Sequence, residues 1–341
     1  MSLSKTKHVV RKKDHLDLVS RAEVTVRDPR FSYEPLLAAH PIDLSSLKTF
    51  FLGKEIGAPV WISSMTGGVK EARRINENLA ECAREFGLGM GLGSCRSLLE
   101  GGARWKDFSL RSLIGPDLPL FANLGIAQVE ELLSAGEENR IHDMVARLEA
   151  SGLIIHVNPL QEFLQTEGTP FTRPPFEIIE DFLSKTDYPV IVKEVGQGMG
   201  PASLIKLLGL PLAAIEFAGI GGTNFSLVEL LRRSGEKGPH EGLVFVGHSA
   251  REMANVVNKE LLTNNVRVKC REFILSGGVR NYLDGYSLMS LLPGCSIYGL
   301  TSPLLEHARK NSRALKSYMH DHLKGLAFAK AFLSHTGTVE S

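Results

Sequence analysis

From Ala58 onward the chain repeats one unit: a short apolar run, a polar or glycine-rich turn, then an amphipathic segment. The runs are Pro59–Ser63, Gly87–Leu92, Pro119–Asn123, Leu153–Val157, Pro189–Lys193, Leu212–Phe217, Leu243–Val246, Glu272–Leu275 and Gly294–Tyr298. Runs of this length, rich in β-branched residues and bounded by Gly, Pro or Asn, are expected to be buried strands. Between them Ala72–Phe86 and Ile141–Ala150 carry apolar residues at the i, i+3, i+4 spacing of helices. Units repeating roughly every 25–35 residues imply a parallel sheet, and about eight imply a closed (β/α)8 barrel. Nine candidates are one too many. The run at 243–246 lies inside the long connection between Phe217 and Phe273, so it is assigned to the sixth strand-to-helix loop and not to the wall. After Pro303 the chain is expected to be helical to about Leu333. The division implied is a lead-in arm at 1–57, the barrel at 58–305 and a C-terminal helical extension at 306–341, one structural domain overall.

A chain of 341 residues with 43% hydrophobic content can bury such a core. Its net charge of +1 gives no general attraction to nucleic acid or an anionic membrane. Cys82, Cys95, Cys270 and Cys295 are far apart and form no C-x-x-C pair, against a disulfide framework and a structural zinc site. No apolar run approaches membrane-spanning length and the N-terminus lacks a signal-like apolar stretch, so a soluble, cytoplasmic protein is expected.

In barrels, ligands are handled at the C-terminal ends of the strands. The fourth run ends in His156-Val157-Asn158-Pro159-Leu160-Gln161-Glu162, four polar groups crowded after a buried strand. The first ends in Ser63-Ser64-Met65-Thr66-Gly67-Gly68, either an ordinary turn or a close approach to a flat ligand. The second ends in Gly93-Ser94-Cys95-Arg96, where an arginine is placed to meet an anion, and the third in Asn123. Lys193 closes a wholly apolar run, so it either pairs with Glu216 or the neighbours of Glu194, or meets an anionic or electron-rich ligand. Gly221-Gly222-Thr223, Ser276-Gly277-Gly278-Val279 and Gly299-Leu300-Thr301-Ser302 follow the last three strands, where barrels often hold phosphate on glycine backbones and a helix N-terminus. Arg11-Lys12-Lys13-Asp14-His15 is either a solvated basic segment or an arm bringing cations to a second anion. Glu162 is either a helix-start glutamate or the single carboxylate of a Mg²⁺ site completed by phosphate oxygens.

In order along the chain these motifs resemble the type 2 isopentenyl-diphosphate delta-isomerase family. The resemblance rests on Arg11-Lys12-x-x-His15, Met65-Thr66-Gly67-Gly68, Gly93-Ser94-x-Arg96, Ala122-Asn123-Leu124-Gly125 and His156-x-Asn158-x-x-Gln161-Glu162. It continues through Glu167-Gly168, Val192-Lys193-Glu194-Val195-Gly196, Gly221-Gly222-Thr223-Asn224-Phe225 and Ser276-Gly277-Gly278. It implies a TIM barrel holding FMN at Ser64, Met65, Thr66, Ser94, Asn123, Lys193, Thr223, Gly277, Gly278, Val279, Thr301 and Ser302. Substrate diphosphate would meet Arg11, Lys12, His15, Ser94, Arg96 and Asn158, with Gln161 at the allylic end and Glu162 on Mg²⁺. Gln161, His156 and Lys193 are then the catalytic candidates. The family interconverts isopentenyl and dimethylallyl diphosphate with reduced flavin, NADPH being the usual reductant, and forms homo-oligomers, often tetramers or octamers. Small-molecule diphosphates, and neither nucleic acid nor membrane, are the partners implied.

The chain departs from the family pattern at Ser64 and Thr301, where alanine is usual, at Val157 for leucine, at Thr169 for aspartate and at Val246-Gly247 for Trp-Gly. Two other readings stay open. An FMN-dependent oxidoreductase of the α-hydroxy-acid oxidase or IMP dehydrogenase kind would need a catalytic His beside arginines or a reactive loop cysteine, for which Cys95 is the candidate. A phosphate-binding barrel without catalysis would take up no flavin.

Overall fold

The computed structural model describes residues 12, 14, 16–67, 71–99, 101, 104–234, 238–263, 268–294 and 296–337. Eight parallel strands close into a barrel: β1 (Val60–Ile62), β2 (Gly89–Gly91), β3 (Leu120–Gly125), β4 (Gly152–His156), β5 (Val190–Lys193), β6 (Ala214–Glu216), β7 (Phe273–Leu275) and β8 (Ser296–Leu300). They hydrogen-bond in sequence order, and β8 closes on β1 through the Tyr298–Val60, Gly299–Trp61 and Leu300–Ile62 pairs. The run at 243–246 is part of a 3₁₀ helix, Glu241–Phe245, outside the wall, as its position in a long connection requires. The helix expected at Ile141–Ala150 spans Asn139–Arg147, and Ala72–Phe86 forms as read. Beyond the barrel Ser302–Lys310 and Ser312–Phe332 are helical.

Side-chain alternation explains why these runs are apolar throughout. One set of positions points into the barrel: Trp61, Phe121, Ile154, Ile191, Ala214, Ile274 and Ile297 form a single buried cluster. The intervening positions, such as Val60, Ile62, Leu120, Ile155, Val192, Ile215 and Leu275, pack against the outer helices. A strand covered on both faces needs apolar residues at every position. β2 is the exception that shows the volume limit. A Cβ at Gly89 would collide with the Trp61 ring, and one at Gly91 would lie 2.6 Å from Ile154 Cδ1. The large indole therefore occupies space that Gly89 vacates, and Gly91 makes room for Ile154 and Ser64, while Leu88, Met90 and Leu92 face outward.

The N-terminal end of the barrel is stoppered. Thr49–Phe51 and Lys54–Ile56 form an antiparallel hairpin, and Phe51 and Ile56 join the interior cluster, Phe51 meeting Trp61 edge-on at 6.2 Å. Its turn is tied to the residue before β7, where Leu52 N–H donates to Glu272 Oε2 at 2.7 Å. The opposite, C-terminal end is where the polar strand ends collect.

By its contacts the chain divides into two units, the larger being Ala38–Ala331. The smaller takes the described residues up to Leu37 together with those from Phe332 on. In it Phe31–Tyr33 pairs antiparallel with Leu333–His335, and Thr336 N–H donates to the Arg30 carbonyl at 3.0 Å. The helix expected to about Leu333 ends at Phe332. What the expected helical extension at 306–341 did not include is the short strand that Leu333 starts, because its partner strand lies some three hundred residues earlier, beyond the reach of local periodicity. Among the described residues no helix is long and apolar enough to cross a membrane.

Candidate functional site

A pocket with about 560 Å³ of space, part of it open solvent, sits at the C-terminal mouth. It gathers Ser64, Lys193, Thr223, Gly277, Gly278, Val279, Thr301 and Ser302 from five separate strand ends, all of them expected from the sequence. One end is built from backbone. Gly277 and Gly278 take φ of 96° and 74°, a left-handed turn that side-chain-bearing residues resist. The turns after β6 and β7 approach so closely that a Cβ on Gly222 would sit 3.2 Å from Gly278 N. The helix Ser302–Lys310 starts at the same place, and its N-cap, Thr301, makes no side-chain capping bond. Its first N–H groups therefore remain for a ligand, and Thr223 Oγ1 lies 3.5 Å from Ser302 Oγ beside them. Turn amides and a helix N-terminus converging in this way form an anion cradle.

The other end is lined by side chains. Lys193 is buried and donates to the carbonyl of Glu194 at 2.7 Å, so it pairs with neither alternative named from the sequence. Glu194 in turn fills a nest of backbone donors: one carboxylate oxygen accepts from Gly196 and Gln197 N–H at 2.5 Å and from Gly198 N–H at 3.0 Å. Burial pushes its carboxyl above the usual range, against the pull of those amides and of the Lys193 charge. The nest fixes the loop after β5, and with it the reach of Lys193. Ser64 Oγ is buried in the pocket wall with no protein partner.

Next to the pocket, β4 delivers its polar cluster. Asn123 Nδ2 donates to the Leu92 carbonyl at 3.0 Å, which leaves its Oδ1 to accept from His156 Nδ1 at 2.9 Å. The proton is thereby placed on Nδ1, and Nε2 is the acceptor. Burial, with the Lys193 charge adding to it, lowers the His156 pKa to about 3, so the ring is neutral near pH 7. Asn158 Nδ2 donates to Glu162 Oε1 at 2.9 Å and lies 3.3 Å from Gln161 Oε1, while its own buried Oδ1 has no partner. Glu162 lies in the first turn of the helix Pro159–Leu164, and its second oxygen accepts from Thr169 N–H at 2.8 Å. Each oxygen thus has one protein donor and keeps acceptor capacity for a cation.

Ser94 is exposed after β2, Arg96 opens the short helix Arg96–Leu99, and Met65 and Thr66 are half-buried after β1. Lys12 is exposed in a helical turn of the smaller unit. Arg11 and His15 lie outside the described residues. Cys95 does not supply the nucleophile of the oxidoreductase reading: it is fully buried, and burial pushes its thiol up to about 12. Among the described residues no three His, Cys, Asp or Glu side chains cluster to hold a metal on their own. A cation at Glu162 would need oxygens from a ligand.

Two acidic residues belong to the site without having been singled out as site residues. Glu229, 4% exposed on the helix Phe225–Ser234, lies 3.3 Å from Gln161 Nε2 and pairs with Arg232 at 2.9 Å. Its signal was an acid inside the run Leu227-Val228-Glu229-Leu230-Leu231. Glu216, the last residue of β6, lines the pocket floor and is 1% exposed.

No family model matches the chain. Curated relatives do. An isopentenyl-diphosphate delta-isomerase of a Synechococcus species is 35% identical over 336 residues, covering 94% of this chain and 90% of the relative. That of Deinococcus radiodurans is 37% identical over 283 residues, covering 83% and 80%, and that of a Nostoc species 36% over 315 residues, covering 90% and 86%. Among solved structures, a mandelate oxidase variant with a monooxide FMN adduct superposes with a TM-score of 0.53 at 14% identity, covering 90% of this chain and 88% of that one. At that identity the likeness extends to the barrel fold alone. The sequence relatives carry the assignment: the chain belongs to the isopentenyl-diphosphate delta-isomerase family, of the type 2 kind its motifs resemble.

Proposed function

We propose that the protein interconverts isopentenyl and dimethylallyl diphosphate by a 1,3-allylic proton shift, using reduced FMN and Mg²⁺, with NADPH as the reductant. The observation that carries the reading is the pocket itself: a glycine-and-helix anion cradle at one end, and a buried lysine with an unpartnered serine hydroxyl at the other. That pairing suits a flat, polar, phosphorylated cofactor, with Ser64, Met65, Thr66, Ser94, Asn123 and Lys193 toward the ring and Thr223, Gly277–Val279, Thr301 and Ser302 toward the phosphate.

The reaction adds a proton to the terminal alkene carbon and removes one from the carbon nearer the diphosphate, through a cation-like state. When bound, reduced FMN supplies an electron-rich ring that can stabilise such a cation and an ionisable site that can exchange the proton. The chain's own residues position and shield. The diphosphate is assigned to Arg11, Lys12, His15, Ser94, Arg96 and Asn158, whose unpartnered Oδ1 is left for a ligand or ordered water. Glu162 would hold Mg²⁺ as the one protein carboxylate beside phosphate oxygens. Gln161, poised between Asn158 and Glu229, is placed to contact the alkene end. His156, neutral, acts as a hydrogen-bond donor that orients Asn123 and not as the acid. Remote grip on the diphosphate supplies the binding energy for positioning.

A cytoplasmic homo-oligomer, tetramer or octamer, accords with the family, and the exposed Phe245 and Val246 offer apolar surface for assembly. The cofactor assignment is tested by the visible spectrum of the purified protein mixed with FMN, before and after dithionite or NADPH. Retained yellow flavin that bleaches on reduction is expected; protein that takes up no FMN would leave a phosphate-binding barrel without this chemistry. Replacing Lys193 with Ala is expected to weaken FMN retention about 10–100-fold, as for loss of one charge-assisted contact. Flavin titration measures it, and an unchanged affinity and rate would return Lys193 to a purely structural role.

A further inference from the structure

Glu216 is the buried acid that the assigned contacts leave unused. Its Oε1 accepts from Ser63 Oγ at 2.6 Å and from Ser276 Oγ at 3.2 Å. Its Oε2 is buried, lacks any partner and belongs to a side chain that lines the pocket. Three strand ends are shaped around this group. Ser63 follows β1, Ser276 follows β7 and is itself held by Ala218 N–H at 3.0 Å. On β8, a Cβ at Gly299 would collide with Ser63 Oγ, so glycine there makes room for the hydroxyl that Glu216 binds. Lys193 is the register neighbour of Glu216 across β5 and β6, yet its ammonium bonds to the Glu194 carbonyl. A buried carboxylate oxygen without a donor is costly, and a structure that supplies two hydroxyls to one oxygen leaves the other for something else.

We infer that Glu216 reads the hydroxyl-bearing chain of the bound cofactor, its free oxygen accepting a hydrogen bond from one hydroxyl. The inference rests on the FMN reading and names one residue and one chemical feature within it. An ionised carboxylate only accepts hydrogen bonds, so it favours a hydroxyl and repels a phosphate. The neighbours of Glu216 fix which part of the ligand lies above it. Ser276 directly precedes the Gly277–Gly278 turn, and Gly299 stands two residues before Thr301 at the helix start. The group over Glu216 therefore lies beside the anion cradle, where a polyol linking ring to phosphate must pass. Negative charge on the floor and amides on the rim together align the ligand: hydroxyls over Glu216, phosphate on the glycines. Glu216 is thus a positioning and specificity residue.

The test measures binding of FMN and of its singly deoxygenated 2′-, 3′- and 4′-deoxyribityl analogues to the full-length protein and to Glu216→Gln. The wild type is expected to bind one analogue at least about tenfold more weakly than FMN, the loss of a hydrogen bond to a charged group. In Glu216→Gln, FMN is expected to lose a similar factor, while that analogue loses little more. Should Glu216→Gln fail to fold, the analogue series on the wild type and on Glu216→Asp, which keeps a carboxylate, reads the same contact. Equal affinity for FMN and all three analogues, or an equal penalty on all four in the variant, overturns the inference alone and points to a ring contact or a structural acid. Failure of the wild type to take up FMN overturns both this inference and the cofactor reading.

Discussion

Glu162→Gln is expected to raise the Mg²⁺ concentration needed for half-maximal isomerisation by at least about a hundredfold, while leaving FMN uptake unchanged. Loss of outer partners of a metal ligand already costs about 10–100-fold in affinity, so loss of the ligand's charge should cost no less. The geometry adds a second effect. Asn158 Nδ2 donates to Glu162 Oε1, and Thr169 N–H donates to Oε2. An amide can keep only one of these acceptors, so Gln turns a donor against a donor and loosens Asn158, a diphosphate contact in the same proposal. Titrating Mg²⁺ in the isomerisation assay, beside flavin titration, separates the two sites. The exposed neighbour Glu167, changed to Gln, should leave both curves in place. An unaltered Mg²⁺ dependence in Glu162→Gln would remove Glu162 from the metal and return it to a helix-start role.

The largest effect on cofactor binding is expected from Gly277→Ala. At φ of 96° a methyl-bearing residue is strained, and the new Cβ would run into the backbone of Gly219. The atoms it meets all belong to that backbone, and none is a side chain that can rotate away. Strain and overpacking together should cost about 2–4 kcal/mol of stability. Since the turns after β6 and β7 must then separate, the cradle loses its shape, and FMN affinity should fall at least about a hundredfold. Gly115 gives the matched control, with φ of 94° and nothing within 4 Å of a built Cβ. Gly115→Ala should lower the melting temperature modestly and leave flavin binding intact. Equal FMN affinity in Gly277→Ala and wild type would show that this turn does not hold the phosphate.

The barrel was legible because its signal is repetitive. Each strand is an apolar run closed by a turn, and chain position alone separated 243–246 from the wall. What periodicity could not carry was distance along the chain. Leu333–His335 reads as the end of a helix until Phe31–Tyr33 is available to pair with it. The glycines of β2 were visible as residues but not as a cause, since only the positions of Trp61, beside Gly89, and of Ile154 and Ser64, beside Gly91, explain them.

The site divides in a similar way. Its glycine-lined end stood out because glycine turns on successive strand ends are needed only where backbone must approach something. Its acids did not. Glu216 looked like a pairing partner for Lys193, and Glu229 like one charge in an apolar helix. The hydrogen bonds of Glu216 to Ser63 and Ser276, and the distance from Gln161 to Glu229, depend on side chains from different units of the repeat. The Glu194 nest was hidden for a different reason: its donors are backbone amides, which carry no residue signature.

In the proposed function this mouth moves a proton on a diphosphate alkene with reduced flavin present and no net oxidation. Its most direct test is an anaerobic reaction in D₂O with dithionite-reduced FMN, Mg²⁺ and isopentenyl diphosphate, followed by product analysis and the flavin spectrum together. The expected result is dimethylallyl diphosphate carrying solvent deuterium, with the flavin still reduced after many turnovers. No isomer formed, or an oxidised product matched one-for-one by reduction of added oxidised FMN, would contradict it.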